Sequence, residues 1–150
     1  MPNDLSYSPG LIYLACPFSH PKSEVQEIRV EAANRIAASL FRLGYDFFSP
    51  LSHGAAFMDL LPDSSKHDHA AWMRLDLAVL RRCETLLIIP LDGWQSSVGV
   101  NQEIREFGQM RAGYYQDRVF VLGQGQWCAG RYFPGFDIVA NAWEGRSDDV

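Results

Sequence analysis

The sequence predicts an α/β domain built on a parallel sheet with helices on both faces. Three observations predict it. Short apolar runs at 11–15, 45–49, 86–91 and 118–122 have strand length and are bounded by Pro, Gly, Ser or Asp. Segments with the 3.6-residue period of a helix alternate with them, and strands that alternate with helices pair in parallel. Residues 84–105, ETLLIIPLDGWQSSVGVNQEIR, form the unit around which the chain is organised: a buried strand, a Ser/Gly loop and a helix start. That succession is where open α/β sheets bind ligands.

The elements follow in order. Residues 1–10 form a polar lead-in, and 11–15 (LIYLA) the first strand. Pro17 and Pro21 stop it, since neither can continue a ladder or a helix. Apolar side chains at Val25, Ile28, Ala32, Ile36, Leu40 and Leu43 predict a helix over 22–43, with Gly44 as its stop. Residues 45–49 form the second strand, ended by Pro50. Residues 51–67 read as a long irregular loop, a length that inside compact domains is usually functional. Ala71, Trp72, Leu75, Val79 and Leu80 predict a helix over 68–82. The third strand covers 86–91, a helix starts near Val98, and 118–122 is the fourth strand. The remainder, 123–150, is rich in Gly and aromatics (Trp127, Tyr132, Phe133, Phe136, Trp143) and offers a possible fifth edge strand at 136–140. Right-handed crossovers then favour a flavodoxin-like strand order, 2-1-3-4. In that order the first and third strands are neighbours, and their C-terminal ends bring residues 16–20 beside 92–97, with Glu103 above both.

Composition narrows the function classes. A chain of 150 residues is expected to be a single domain, with a core of about 11–122 and a C-terminal extension over 123–150. Its apolar fraction of 47% and charged fraction of 21% suit a globular protein. A net charge of -5 argues against affinity for a nucleic-acid polymer, which needs clustered Lys and Arg. No apolar run is long enough to span a bilayer, and the N-terminus lacks the regions of a signal peptide, so a cytoplasmic location is expected. Cys16, Cys83 and Cys128 are widely spaced with no CxxC, which indicates neither a disulfide framework nor a zinc knuckle. The run His67-Asp68-His69 does not change this, because alternate residues near a helix start point apart. No cofactor or metal is expected.

Tyr13, Asp76, Asp92 and Glu103 converge by topology, and each has a plain structural alternative. Tyr13 is a core aromatic with its hydroxyl satisfied at the sheet edge, or a functional hydroxyl. Asp76 shares a helix side with Trp72 and Leu80, so it is a functional acid or the partner of an Arg such as Arg82. Asp92 suits a turn or cap, and Glu103 suits a helix dipole. Ser96, Ser97 and Gly99 form a plain N-cap, or donate hydroxyl and N–H groups to a phosphate. Neither GxxxxGK[ST] nor GxGxxG occurs, so nucleoside triphosphate and dinucleotide sites are unsupported. Ser19 and His20 are adjacent and do not make a productive nucleophile and base.

The motifs IYLACPFSH at 12–20, LDLAVLRRCETLLIIPLD at 75–92 and SSVGVNQEI at 96–104 resemble the nucleoside 2-deoxyribosyltransferase-like superfamily. That group also includes nucleoside 5′-monophosphate N-glycosidases. Within it the chain is most similar to a bacterial and phage branch marked by an LACPFSH opening and an LDGWxxSxGV loop. The resemblance implies Glu103 as the nucleophile of S-x-G-x-x-x-E, Asp92 and Asp76 as acids that contact or protonate the base, and Tyr13 as the hydroxyl that orients the nucleophile. It places Ser19, in the loop with Pro17 and Phe18, and Ser97, near Gly99, where relatives bind a 5′-phosphate or 5′-hydroxyl. It further implies a small-molecule nucleoside or nucleotide as partner and a homo-oligomer, at least a dimer. Asn101 and Gln102 depart from the pattern, and their bulk is expected to narrow the site or reach the sugar. The expected function is N-glycosidic bond cleavage or base exchange. A non-catalytic nucleotide-binding module of the same fold is the alternative.

Overall fold

A computed structural model of the protein describes residues 9–110 and 118–123. The described chain runs β1 (Ile12–Ala15), α1 (Ser23–Arg42), β2 (Phe47–Phe48), α2 (Pro50–Ala55), a 3₁₀ turn (Met58–Leu60), α3 (Asp63–Lys66) and α4 (His69–Leu80). It continues through β3 (Thr85–Ile88), a second 3₁₀ turn (Trp94–Ser96), α5 (Val98–Met110) and β4 (Val119–Val121). The four strands form one sheet in the order β2-β1-β3-β4, all parallel, with Tyr13 opposite Leu86 and Ala15 opposite Ile88. This is the flavodoxin-like α/β order expected from the sequence. The positions expected for a fifth strand, and the C-terminal aromatics, lie outside the described residues.

Strand alternation sorts the core into two layers. Ile12, Leu14, Leu87 and Phe120 pack with Ala32, Ala33, Ile36 and Leu40 of α1 on one face. Tyr13, Ala15, Leu86, Ile88 and Val121 pack with Leu80 of α4 and Val100 and Phe107 of α5 on the other. Leu87 is fully buried, and its truncation to Ala is worth about 2–5 kcal/mol.

Two boundaries follow from local chemistry. After α1, Gly44 takes φ +82, with its N–H on Phe41 O and that of Tyr45 on Leu40 O, the paired bonds of a Schellman motif. β3 ends before Pro90, which has no N–H to give a ladder. Ile89 makes the last bond across, donating to Ala15 O at 2.8 Å.

Residues 51–67 correct the expectation of an irregular loop, because they carry α2, a 3₁₀ turn and α3. Pro50 occupies the first turn of α2, where a missing N–H costs nothing. Trp72 of α4 holds the segment down. A Cβ built on Gly54 would come within 3.1 Å of its ring, Phe57 lies 5.5 Å from it between centroids, and its Nε1 donates to Lys66 O at 2.9 Å.

Candidate active site

The C-terminal ends of β1 and β3 open into a cavity of about 930 Å³, within the range of small-molecule ligand sites. The crevice straddles the sheet. The loop 16–20 and α1 contribute one wall, the loop after β3 and α5 another, and residues of 50–76 a third.

The acids come from helix periodicity. Asp68 caps α4 by accepting the Ala71 N–H at 3.1 Å, and buried Met73 and Leu80 then set the helix rotation. Asp76 lies between them in that register and lines the cavity. In α5 the buried positions are Val100, Glu103 and Phe107, so the carboxylate sits on the apolar stripe rather than on the solvated face. Glu103 is 5% exposed.

Tyr13 reaches the same place by strand alternation, since it faces α4 and α5, whereas Ile12 and Leu14 face α1. Its side chain is fully buried. The expectation of a satisfied hydroxyl is not met. Neither the Tyr13 hydroxyl nor Glu103 Oε2 has a hydrogen-bond partner of standard geometry. The two groups nevertheless influence each other: the hydroxyl favours the ionised Glu103, and the carboxylate pushes the phenol up. They are an adjacent donor and acceptor whose bond is not closed.

Burial dominates the electrostatics. It pushes the Glu103 carboxyl up to about 8, against the Tyr13 hydroxyl, which lowers it, and with Asp76, whose charge raises it. Burial alone pushes Asp76 up to about 6. Tyr13 is raised far above the ordinary phenol range by burial first, then by Glu103 and Asp76. Two carboxyls and a phenol in one dry corner resist ionising together.

The other expected site residues divide. Pro17, Phe18, Ser19, Asp92, Ser97 and Gly99 all line the cavity. Asp92 is exposed, and its carbonyl, not its carboxylate, is held by the protein. Ser97 acts as the N-cap of α5, with its Oγ accepting the Val100 N–H at 3.3 Å. Asp76 forms no ion pair with Arg82, whose guanidinium instead donates to Ala78 O. Asn101 and Gln102 correct another expectation, because neither lines the cavity. Asn101 Nδ2 donates to the Gln95 and Ser97 carbonyls, and Gln102 Oε1 lies 2.9 Å from His69 Nε2. Among the described residues, no group of three or more His, Cys, Asp and Glu is arranged to hold a metal ion, and no helix is long and apolar enough to cross a membrane.

One residue at the site was missed. Arg29 of α1 is 8% exposed, borders the cavity and donates to Ser19 O at 2.9 Å and Asp92 O at 3.0 Å, tying one wall of the crevice to the other. A signal was present: Arg29 falls on the stripe of Val25, Ala32 and Ile36, as Asp76 falls on its own apolar stripe.

The comparisons bear on fold and family. A solved 2-deoxyribosyltransferase from the psychrotolerant bacterium Bacillus psychrosaccharolyticus is similar in structure, with a TM-score of 0.53, 18% sequence identity, and coverage of 87% of this chain and 90% of that one. At that identity the likeness establishes the shared fold. No curated protein matches the sequence. Residues 10–123 match the family model described as domain of unknown function DUF1937, which spans most of the chain and every site residue named above, and the chain belongs to that family.

Proposed function

We propose that this crevice cleaves or exchanges the N-glycosidic bond of a nucleoside or nucleoside 5′-monophosphate, with Glu103 as the nucleophile. The observation that carries the reading is the Glu103 carboxyl: buried, lining the cavity, with one oxygen unpartnered beside an equally unpartnered Tyr13 hydroxyl. A buried polar group left open costs folding free energy, about 1–3 kcal/mol for a neutral group and more for a charged one, so its persistence argues for a role other than stability. The fold shared with a solved 2-deoxyribosyltransferase supports the same class of chemistry.

The steps balance with the residues present. A Glu103 carboxylate oxygen bonds to the anomeric carbon as the bond from that carbon to the base nitrogen breaks. The bonding pair leaves with the base, which takes a proton from Asp76, an acid pushed up to about 6. Positive charge developing on the sugar favours the ionised Glu103, and a Tyr13 hydroxyl bond that closes on it does the same. Water then bonds to the anomeric carbon as the bond from that carbon to the Glu103 oxygen breaks, Glu103 leaves as the carboxylate and the water proton passes to Asp76; in an exchange a second base attacks in the same way and gives its N–H proton to Asp76. Asp92 contacts the base, and Ser19, Pro17, Phe18, Ser97 and Gly99 hold the sugar and its 5′ end.

The test is incubation of the protein with the four common 2′-deoxynucleosides and their 5′-monophosphates, with and without added free base. Release or exchange of base is expected for at least one member. The proposal is abandoned if every member is returned intact.

One observation favours a second reading, a nucleotide-binding module without turnover: burial keeps Glu103 largely protonated at neutral pH, a form that donates a hydrogen bond to a ligand but does not attack one. Saturable binding with no base released, unchanged by Glu103→Gln, selects it.

A further inference from the structure

Asp76 and Glu103 stand on different helices, and their spacing is set by how α4 and α5 lie together. The core fixes the far end of the pair. Leu80 of α4 and Phe107 of α5 are buried in one cluster, and Arg81, the C-cap of α4, donates to Glu106 Oε1 at 2.9 Å. The near end is different. His69, Met73 and Asp76 of α4, and Val98, Gly99 and Glu103 of α5, all line the cavity, so ligand space rather than core borders the helices there. A hydrogen bond spans this end: His69 Nε2 and Gln102 Oε1 are 2.9 Å apart, across 33 residues of sequence. An amide oxygen only accepts, so the imidazole donates.

Three features tie that bond to the acids rather than to the fold. His69 opens α4 and precedes Asp76 by about two helical turns, so both project from one side of the helix. Gln102 immediately precedes Glu103 on α5 and does not itself line the cavity. His69 is exposed and Gln102 half-buried, where a single neutral bond adds little to a helix pair already held by Leu80, Val100 and Phe107. What such a bond can do is fix a distance. The Asp76 charge disfavours ionised Glu103, and parting of the cavity ends is the motion that relieves this repulsion.

We infer that His69 and Gln102 are positioning residues, whose bond holds the cavity ends of α4 and α5 at the separation that sets Asp76 and Glu103 on the glycosidic bond. The kinetic consequence rests on the N-glycosidic reading of the site; the helix spacing does not. Misplacing a reacting group by about 1 Å costs about 100-fold in rate, so slack of about half that is worth about ten-fold.

Gln102→Met and His69→Met remove the bond with little change in volume, and His69→Gln keeps an N–H donor close to the position of Nε2. On the preferred member of the deoxynucleoside and monophosphate panel, each Met variant is expected to lower kcat about ten-fold, with KM within about two-fold of wild type. The double variant should be no slower than either single one, because one bond is lost only once, and His69→Gln should recover most of the rate. Without substrate, carbon NMR of the carboxyls should show Glu103 titrating below its wild-type value of about 8 in Gln102→Met, since water reaches it and the Asp76 charge recedes. A tie that only stabilises the fold shifts urea midpoints and moves neither kcat nor that titration. Wild-type kcat in Gln102→Met overturns the inference, as do effects that multiply in the double variant, a His69→Gln protein as slow as His69→Met, or a Glu103 titration unchanged by Gln102→Met. If no panel member is turned over, the N-glycosidic reading falls by itself and the titration decides: a lowered Glu103 upholds the helix tie, and an unchanged one overturns it. Should Gln102→Met fail to fold, His69→Met carries the same readouts.

Discussion

Arg29 and Glu103 are buried to nearly the same degree at the edge of one cavity, 8% and 5% exposed, yet the fold treats them differently. Two carbonyls, from loops on either side of the crevice, receive the Arg29 guanidinium. Glu103 keeps an oxygen open, and the Tyr13 hydroxyl beside it is open as well. Closed polar bonds of the first kind hold walls in place. Open ones of the second kind raise the free energy of the empty protein and are relieved only when something else arrives. The contrast separates the part of the crevice that shapes it from the part that reacts.

The largest way to break this contrast is to remove the proton donor. Asp76→Asn keeps the shape of the side chain and takes away the proton, so kcat for base release should fall about 100-fold or more. In the wild type, kcat/KM should follow a bell between limbs near pH 6 and 8, set by Asp76 and Glu103 together and belonging to the pair rather than to either residue alone. Asp76→Asn should remove one limb. A rate that is unchanged, or a bell that survives, assigns the proton elsewhere.

Stability sharpens the contrast next. The folded Glu103 carboxyl holds its proton up to about pH 8, whereas 4.5 is its ordinary value. Between those values the native protein binds more protons than the unfolded chain, so the Glu103 contribution falls as pH rises through the window and levels off above it. Asp76 adds the same sign of effect between 3.8 and about 6. Urea midpoints measured from pH 4 to 9 should therefore decline less in Glu103→Gln than in the wild type. Parallel curves would mean that the carboxyl is better solvated than its burial implies.

Tyr13→Phe carries a smaller effect of unusual sign. Removing a buried hydroxyl that has no partner should stabilise the protein by about 1 kcal/mol while lowering kcat. A loss of stability would show that the hydroxyl is bonded in solution. Ser97→Ala, which deletes the cap of α5, should cost about 1 kcal/mol in the same urea assay.

Much of this was legible in the sequence, for identifiable reasons. The strand order followed from apolar runs alternating with helical periods, and Gly44 marked the end of α1 because a left-handed residue was needed there. Asp76 stood out as a carboxylate on an apolar stripe, and Glu103 as the acid that topology carries above the ends of the first and third strands. Residues 51–67 misled because α2 and α3 are six and four residues long, too short to display a helical period. Arg29 was hidden by its own stem, since a long aliphatic side chain occupies an apolar stripe without breaking it. Asn101 and Gln102 looked like site residues by adjacency to Glu103, but neighbours on a helix face different ways, and theirs face Gln95 and His69.

The central claim is that the open Glu103 carboxyl is the reacting group. Its most direct test is the rate of base release by wild type and by Glu103→Gln on the preferred substrate at pH 7, with urea midpoints confirming that both are folded. Gln reproduces the neutral acid in shape but cannot form the glycosyl ester, so the rate should fall by roughly 1000-fold or more while the fold is retained. A folded Glu103→Gln protein that releases base as fast as the wild type contradicts the account.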